Sequence, residues 1–457
     1  MGKKINKIEI TSDTITSRGG LSIFNRYLEN IGILDILQDS FGHYRKSSKG
    51  LSILLIFKQI FCFLFDGTSR HISHFDHLKS DEGYTAAIEL DSTEMASTPI
   101  IKRFFYAFGV FCIKPFRAIL HKLFVWRLHI IQPDVIELYI DTMVMDNDDA
   151  SKRHGVQPTY KKVKGFQPLQ VIWAGKIIDA IFRGGKKNGN SGNTVVNVVT
   201  KIVNLIRKQY RSDVMIVLRC DAGFFDKVNF KAFNDMNIAF IATGKQYDEV
   251  KKYAKSTDKK FWKSIKKRKQ TWNYTEFGFR CSSWNFFLRA VYTHLENKGN
   301  QLLLEFARPD NVILTNIGIN DEVLKYCPDS EKEYWLNIEN IIGAHHSNGA
   351  DELAHRGFKD FGFEQLPFKK FGPNAAFYYC MVIAFFLFET FKEDALSEVI
   401  SINSYASTVR RKLVDFAAKI VKTGNQIILK ISRAIMETYQ IQKVWQRCHI
   451  LVPIPVR

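Results

Sequence analysis

Two aspartates stand where this chain could assemble chemistry. In VIELYID, residues 135–141, Ile136, Leu138 and Ile140 alternate with Glu137, Tyr139 and Asp141, the period-two pattern of a strand that Asp141 closes. In VMIVLRCD, residues 214–221, an apolar run reads as a central strand, and Asp221 follows it ahead of Ala222-Gly223. Ligands of open α/β sheets gather at such strand ends. Carboxylate oxygens suit hard divalent cations, and two cations roughly 3.5 to 4 Å apart stabilise the attacking and leaving oxygens of a phosphodiester displacement. Taken singly, an aspartate after a strand is more often a turn former or a helix cap.

Other polar clusters point to blander roles. Asp146, Asp148 and Asp149 lack the glycine and closing glutamate of a calcium loop and read as a solvated turn. His71, His74 and His77 offer helical spacing without a cysteine or a paired motif, so polar helix positions or phosphate contacts explain them equally well. RGGKKNGNSGN, residues 183–193, lacks the G-K-[ST] ending of a phosphate-binding loop and reads as a basic strand-to-helix loop near DNA. The run Lys259 to Lys269, with Phe261 and Trp262 interleaved, favours nucleic acid slightly over a plain solvated face.

The elements that must position Asp141 and Asp221 can be read from periodicity. Leu169–Trp173 and Ile177–Phe182 form a hairpin through Ala174-Gly175-Lys176, and Val195 to Ile206 repeat at helical spacing. After Asp221 a helix over 225–234 returns the chain to a strand over 238–242, giving the order βββαβαβ. Aromatic stretches around 274–280, 285–292 and 301–307 read as an inserted β unit. Residues up to about 130 read as helical, with Ser97-Thr98-Pro99 starting a helix that carries Lys102 and Arg103. The apolar segment AAFYYCMVIAFFLF, 375–388, is short for a membrane span and reads as a buried helix. Tyr405 to Ser432 reads as a helix followed by a hairpin turning at Thr423-Gly424-Asn425.

Composition narrows the partners. With 65 basic and 46 acidic residues, the formal charge of +19 favours a polyanion, nucleic acid ahead of an anionic membrane surface. Seven cysteines without a C-x-x-C pair indicate neither a disulfide framework nor a zinc ribbon, which fits a reducing cytoplasm. MGKKINKIEI lacks the apolar core of a signal peptide, so no export is expected.

IDTMVMDN, VLRCDAGFF and ADELAHRGFKDFGFEQLPF followed by NAAFYYCMVIAFFLF together resemble the motifs of bacterial insertion-sequence transposases of the DDE superfamily. The resemblance covers about residues 135 to 430, with 80 residues separating Asp141 from Asp221 and 131 separating Asp221 from Glu352. It implies a ribonuclease H-like mixed sheet with flanking helices, a β-rich insertion and a helical N-terminal domain. It also implies Asp141, Asp221 and Glu352 as catalytic ligands of two Mg²⁺ ions, with Mn²⁺ able to substitute. Metal-activated water would then cleave double-stranded DNA at the element's terminal inverted repeats, and the freed 3′-hydroxyl would attack target DNA, in a homodimer. Glu352, Arg356 and Lys359 fall at i, i+4 and i+7 on one helical face, so the glutamate would reach metal and the cations phosphate. Leu353, Gly357 and Phe361 form a neighbouring stripe suited to packing on the sheet. Where relatives carry Tyr and Arg, seven and four residues before the glutamate, this chain has His345 and Asn348, and His346 or Lys359 would compensate. Arg183 joins Arg356, Lys359 and His346 as an expected DNA contact.

The implied division is a helical DNA-binding region at 1–130, a first part of the catalytic core at 131–245, and a basic β insertion at 246–340. The rest of the core lies at 341–400 and a basic C-terminal region at 401–457. A cytoplasmic protein held at the nucleoid by DNA, without a membrane, is expected. Two alternatives share this fold: a structure-specific nuclease, and a transposase-derived DNA-binding protein that has lost catalysis.

Overall fold

The alternation in VIELYID builds β1 (Val135–Thr142), with Ile136, Leu138 and Ile140 fully buried. The computed structural model describes residues 4–5, 7–44, 50–109, 113–187, 189–267, 270–296, 310–346 and 348–455. The side chains of Lys267 and of residues 348–352 lie outside that description. Two units emerge, one made of Met1–Ile119 with Gly357–Arg457 and the other of Leu120–Arg356.

In the second unit β1 is followed by β2 (Leu169–Trp173) and β3 (Lys176–Ile181), an antiparallel hairpin. Its turn is Ala174 and Gly175, both at positive φ (46° and 76°), as a two-residue hairpin turn with the right-handed strand twist demands. Helix α1 (Thr194–Gln209) buries Val195, Val198, Val199, Ile202, Val203 and Ile206, the stripe its 3.6-residue spacing foretells. It leads into β4 (Met215–Cys220), buried at every position. Helix α2 (Lys227–Asp235), capped by Asp226, carries the chain to β5 (Ala239–Thr243). Strands β1, β4 and β5 run parallel and β2 runs antiparallel to β1.

The expected β insertion is present, and it extends this sheet instead of standing apart from it. Strands β6 (Lys263–Lys267), β7 (Gln270–Phe279), β8 (Leu288–Leu295) and β9 (Asp310–Thr315) form a meander whose last strand pairs antiparallel with β5. The nine-stranded order is β6-β7-β8-β9-β5-β4-β1-β2-β3. Pairing β9 along β5 satisfies a buried strand edge that would otherwise be left open. The strand expected over 301–307 lies outside the described residues. One face of the extended sheet buries Met215, Val217, Ile241, Val291 and Ile313 against Trp335, Ile338, Ile341 and Ile342, the last three on helix α3 (Ile338–His346). Helix α4 (Asn348–Phe361) comes next.

Between β1 and β2 the chain makes a small three-stranded sheet of Met145–Asp146, Lys164–Phe166 and Gln157–Pro158. Strands of two or three residues show no periodicity, so this excursion left no sequence signal.

The first unit is aromatic. Helix Phe371–Phe391 is apolar all round and buried along its length, the property of a core helix. It is long and apolar enough to cross a membrane, yet 94% of that apolar window is covered by protein. Phe24 stacks on Phe65 at 3.9 Å and Phe65 meets Phe388 and Phe391, so helices Leu21–Asn30 and Ile53–Asp66 close on it. The stripe expected to pack on the sheet packs here instead: Phe361 stacks on Phe388 at 5.2 Å, Gly357 faces Phe385, and Leu353, in the second unit, stays exposed. A three-stranded sheet completes the unit, with Thr14–Thr16 beside the hairpin Ala418–Thr423 and Gln426–Ile431, which turns at Gly424 (φ 58°).

Candidate functional site

Parallel pairing of β1 and β4 ends at Ile140 opposite Cys220, so Asp141 and Asp221 are the next residues on neighbouring strands. The chain places both carboxylates at the same edge of the sheet, as their strand-end positions foretold.

Each carboxylate is engaged by the protein itself. Asp141 Oδ1 accepts the Thr142 backbone N–H at 2.6 Å, its Oδ2 accepts the Tyr139 hydroxyl at 3.2 Å, and His355 Nδ1 lies 3.7 Å from that same oxygen. Asp221 Oδ1 accepts the Gly223 N–H at 2.9 Å and caps a single 3₁₀ turn, the role such a residue most often plays. Burial pushes the Asp221 carboxyl above the ordinary carboxylate range, and the Gly223 bond opposes it. Burial, with Asp221 and Asp141 adding to it, also raises the intervening Cys220 thiol.

The helical partner is partly described. The backbone of α4 carries Glu352 one turn ahead of His355, while the Glu352 side chain lies outside the described residues, as does that of Asn348. Among the described residues no group of three or more His, Cys, Asp or Glu is placed to hold a metal ion. This finding corrects the expectation of two Mg²⁺ or Mn²⁺ ions, and with it the two-metal hydrolysis and strand transfer assigned to Asp141, Asp221 and Glu352. Hard cations need several oxygens converging on one point. Here the described donors are a carboxylate whose two oxygens both accept protein hydrogen bonds and a second that caps a turn.

The other expected contacts fall in different settings. Arg183 is buried, with Nε on the Gln167 carbonyl at 3.1 Å and Nη1 on that of Gly189 at 3.5 Å. Arg356 is exposed, whereas Lys359 pairs with Glu364 at 2.6 Å. His346 sets its ring 4.6 Å from Trp272. His345 is buried, its Nε2 2.9 Å from Thr243 Oγ1, and burial drives its pKa down to about 3. Tyr139, His355 and Arg219 were missed by sequence reasoning. Arg219, buried on β4, donates to the Ala344 carbonyl at 3.1 Å and ties β4 to α3. The signal for His355 was its place three residues after Glu352, hence on the same helical face.

Beside this edge lies a basic surface. The Gly184-Gly185 loop bridges to Phe166, and a Cβ at Gly185 would sit 2.1 Å from the Gln157 carbonyl oxygen and 2.6 Å from that of Gly165, so only glycine lets the loop lie on the small sheet. Lys152, Lys161, Lys162, Lys164, Lys186 and Lys187 are exposed on this loop and sheet, and none pairs with a carboxylate among the described residues. Asp146 and Asp148 instead accept backbone N–H groups, of Asp148 and Lys164 respectively, as turn formers do.

A mixed sheet with three central parallel strands, an antiparallel hairpin beyond the first and two aspartates at adjacent strand ends defines a ribonuclease H-like core. The family model described as transposase DDE domain group 1 matches residues 2–452, and the chain belongs to that family. Among solved structures, the chain is similar to the piggyBac transposase in its synaptic complex with hairpin DNA, at 12% identity and a TM-score of 0.42, over 88% of this chain and 83% of that one. A comparison with curated proteins gave no significant match.

Proposed function

We propose that this protein is a DNA-binding member of the transposase family in which Asp141 and Asp221 shape the strand ends and do not hold catalytic metal. The observation that carries this reading is the set of exposed lysines, Lys152, Lys161, Lys162, Lys164, Lys186 and Lys187, which pair with no carboxylate among the described residues and stand on and beside a sheet and loop locked together at Gly185. Unpaired cations on a rigid surface neutralise phosphates and release counterions, which supplies sequence-independent affinity for a duplex. Arg183 holds the loop that presents Lys186 and Lys187, and Arg356 adds an exposed cation from α4. The partner is double-stranded DNA, and its specific form is the terminal inverted repeats of a bacterial insertion sequence, bound at the nucleoid in the cytoplasm.

Fluorescence anisotropy with a labelled terminal-repeat duplex tests this. Joint replacement Lys161→Glu, Lys162→Glu, Lys186→Glu and Lys187→Glu is expected to weaken binding by more than about tenfold and to flatten the salt dependence by about 0.9 in log–log slope for each phosphate no longer neutralised. Unchanged affinity and slope in this folded variant would refute the assignment of the surface.

A further inference from the structure

The first unit leaves two β-prone segments open. Among the described residues, strand Gln426–Ile431 is the free edge of the three-stranded sheet, since its partner Ala418–Thr423 is flanked on the other side by Thr14–Thr16. Its sequence QIILKI is rich in β-branched residues, and Ile427 is 70% exposed. An exposed apolar edge of unpaired N–H and C=O groups is a template for another strand, and a single lysine, Lys430, is its only charge. The second segment precedes Thr14. The chain bends out of the sheet at Asp13, and every residue from Lys7 to Asp13 is exposed, Ile8 at 95% and Ile10 at 102%. Lys7-Ile8-Glu9-Ile10 alternates polar and apolar residues, the pattern of a strand with one face to bury.

We infer that two copies of this chain pair by exchanging these segments, Lys7–Ile10 of one copy adding antiparallel to Gln426–Ile431 of the other. A register that sets Glu9 opposite Lys430 also sets Ile8 beside Ile431 and Ile10 beside Leu429, so the charges and the apolar side chains match together. Within one chain the segment leaves from the opposite edge of the sheet, with the first hairpin strand between, so a second copy offers the edge it can reach without crossing its own sheet. The exchange is reciprocal, and a twofold axis buries both segments twice. This pairing is independent of the DNA reading.

Sedimentation of the full chain, without DNA, reads the result. Wild type is expected to be a dimer. Ile8→Asp with Ile10→Asp is expected to raise the dimer dissociation constant about tenfold or more, while the thermal melt of the monomer stays in place because both side chains lie in water in the single chain. A mixture of two separate variants, Ile10→Cys and Leu429→Cys, should form a disulfide between chains on mild oxidation, above the background of either alone. A monomeric wild type, a dimer that persists in the double Asp variant, or no mixed disulfide would overturn the proposal. So would a double Asp variant that keeps its dimer and loses DNA affinity, since the segment would then serve nucleic acid.

Discussion

Asp221 illustrates how one carboxyl can be read for its chemistry and still act as structure. Burial raises its pKa, and its Oδ1 accepts the Gly223 N–H. A carboxyl whose folded value lies above its unfolded value gives its full stability below the unfolded pKa and loses it as pH rises through the raised one. At neutral pH the ionised group therefore sits at a cost. Asparagine keeps the acceptor without the charge and caps as well as aspartate. Asp221→Asn is expected to be more stable than wild type at pH 7 in urea, with the advantage shrinking below about pH 4; a less stable variant at pH 7 would contradict the capping role. His345 gives the opposite limb. With its folded value near 3 and an ordinary value near 6.5, the unfolded chain takes up the proton first, so stability is full above about pH 6.5 and falls as pH drops towards 3. His345→Gln should flatten that acid limb, and an unchanged pH profile would show that the histidine is not what titrates.

At the scale of elements, one side chain ties two helix ends. The Arg410 guanidinium donates to the carbonyls of Leu64 and Phe65, both at 2.8 Å, at the end of helix Ile53–Asp66. It also donates to those of Asp360 at 3.1 Å and Phe361 at 2.6 Å, at the end of α4. A cation at two helix C-termini complements both dipoles, and Gly67 at φ 65° leaves the space it fills. Arg410→Met strands those carbonyls and should cost roughly 1.5 to 3 kcal/mol in urea unfolding, and Arg410→Lys should not restore it because a point charge lacks the fork. A loss below about 1 kcal/mol would show that the tie adds little to stability. None of this was legible in the sequence, because Arg410 and its partners at 64–65 lie hundreds of positions apart. The strands ending at Asp141 and Asp221, the hairpin at Ala174-Gly175 and the buried helix over 375–388 were legible, since each arises from local periodicity or turn chemistry. The extension of the core sheet by β6–β9 was not, because the alternation that marks a strand does not say which edge it joins. Arg183 misled for a related reason: a basic residue in a glycine-rich loop reads as exposed, and only the fold reveals the carbonyls of Gln167 and Gly189 that hold it. The metal site was inferred from residue types and family motifs, and residue types do not report which hydrogen bonds already occupy a carboxylate.

At the scale of the whole molecule, a formal charge of +19 makes a strong polyanion partner the natural expectation, and the partner we propose for this member of the transposase family is DNA. Raising salt should weaken duplex binding steeply, and a flat response between about 50 and 200 mM would contradict phosphate neutralisation as its source. DNA binding without a metal-dependent cleavage centre can be tested by incubating the protein with Mg²⁺ or Mn²⁺ and a terminal-repeat duplex. A bound duplex that stays intact is predicted, with Asp141→Asn, Asp221→Asn and Glu352→Gln binding as wild type does. Metal-dependent cleavage or joining by wild type that Asp141→Asn abolishes would contradict it.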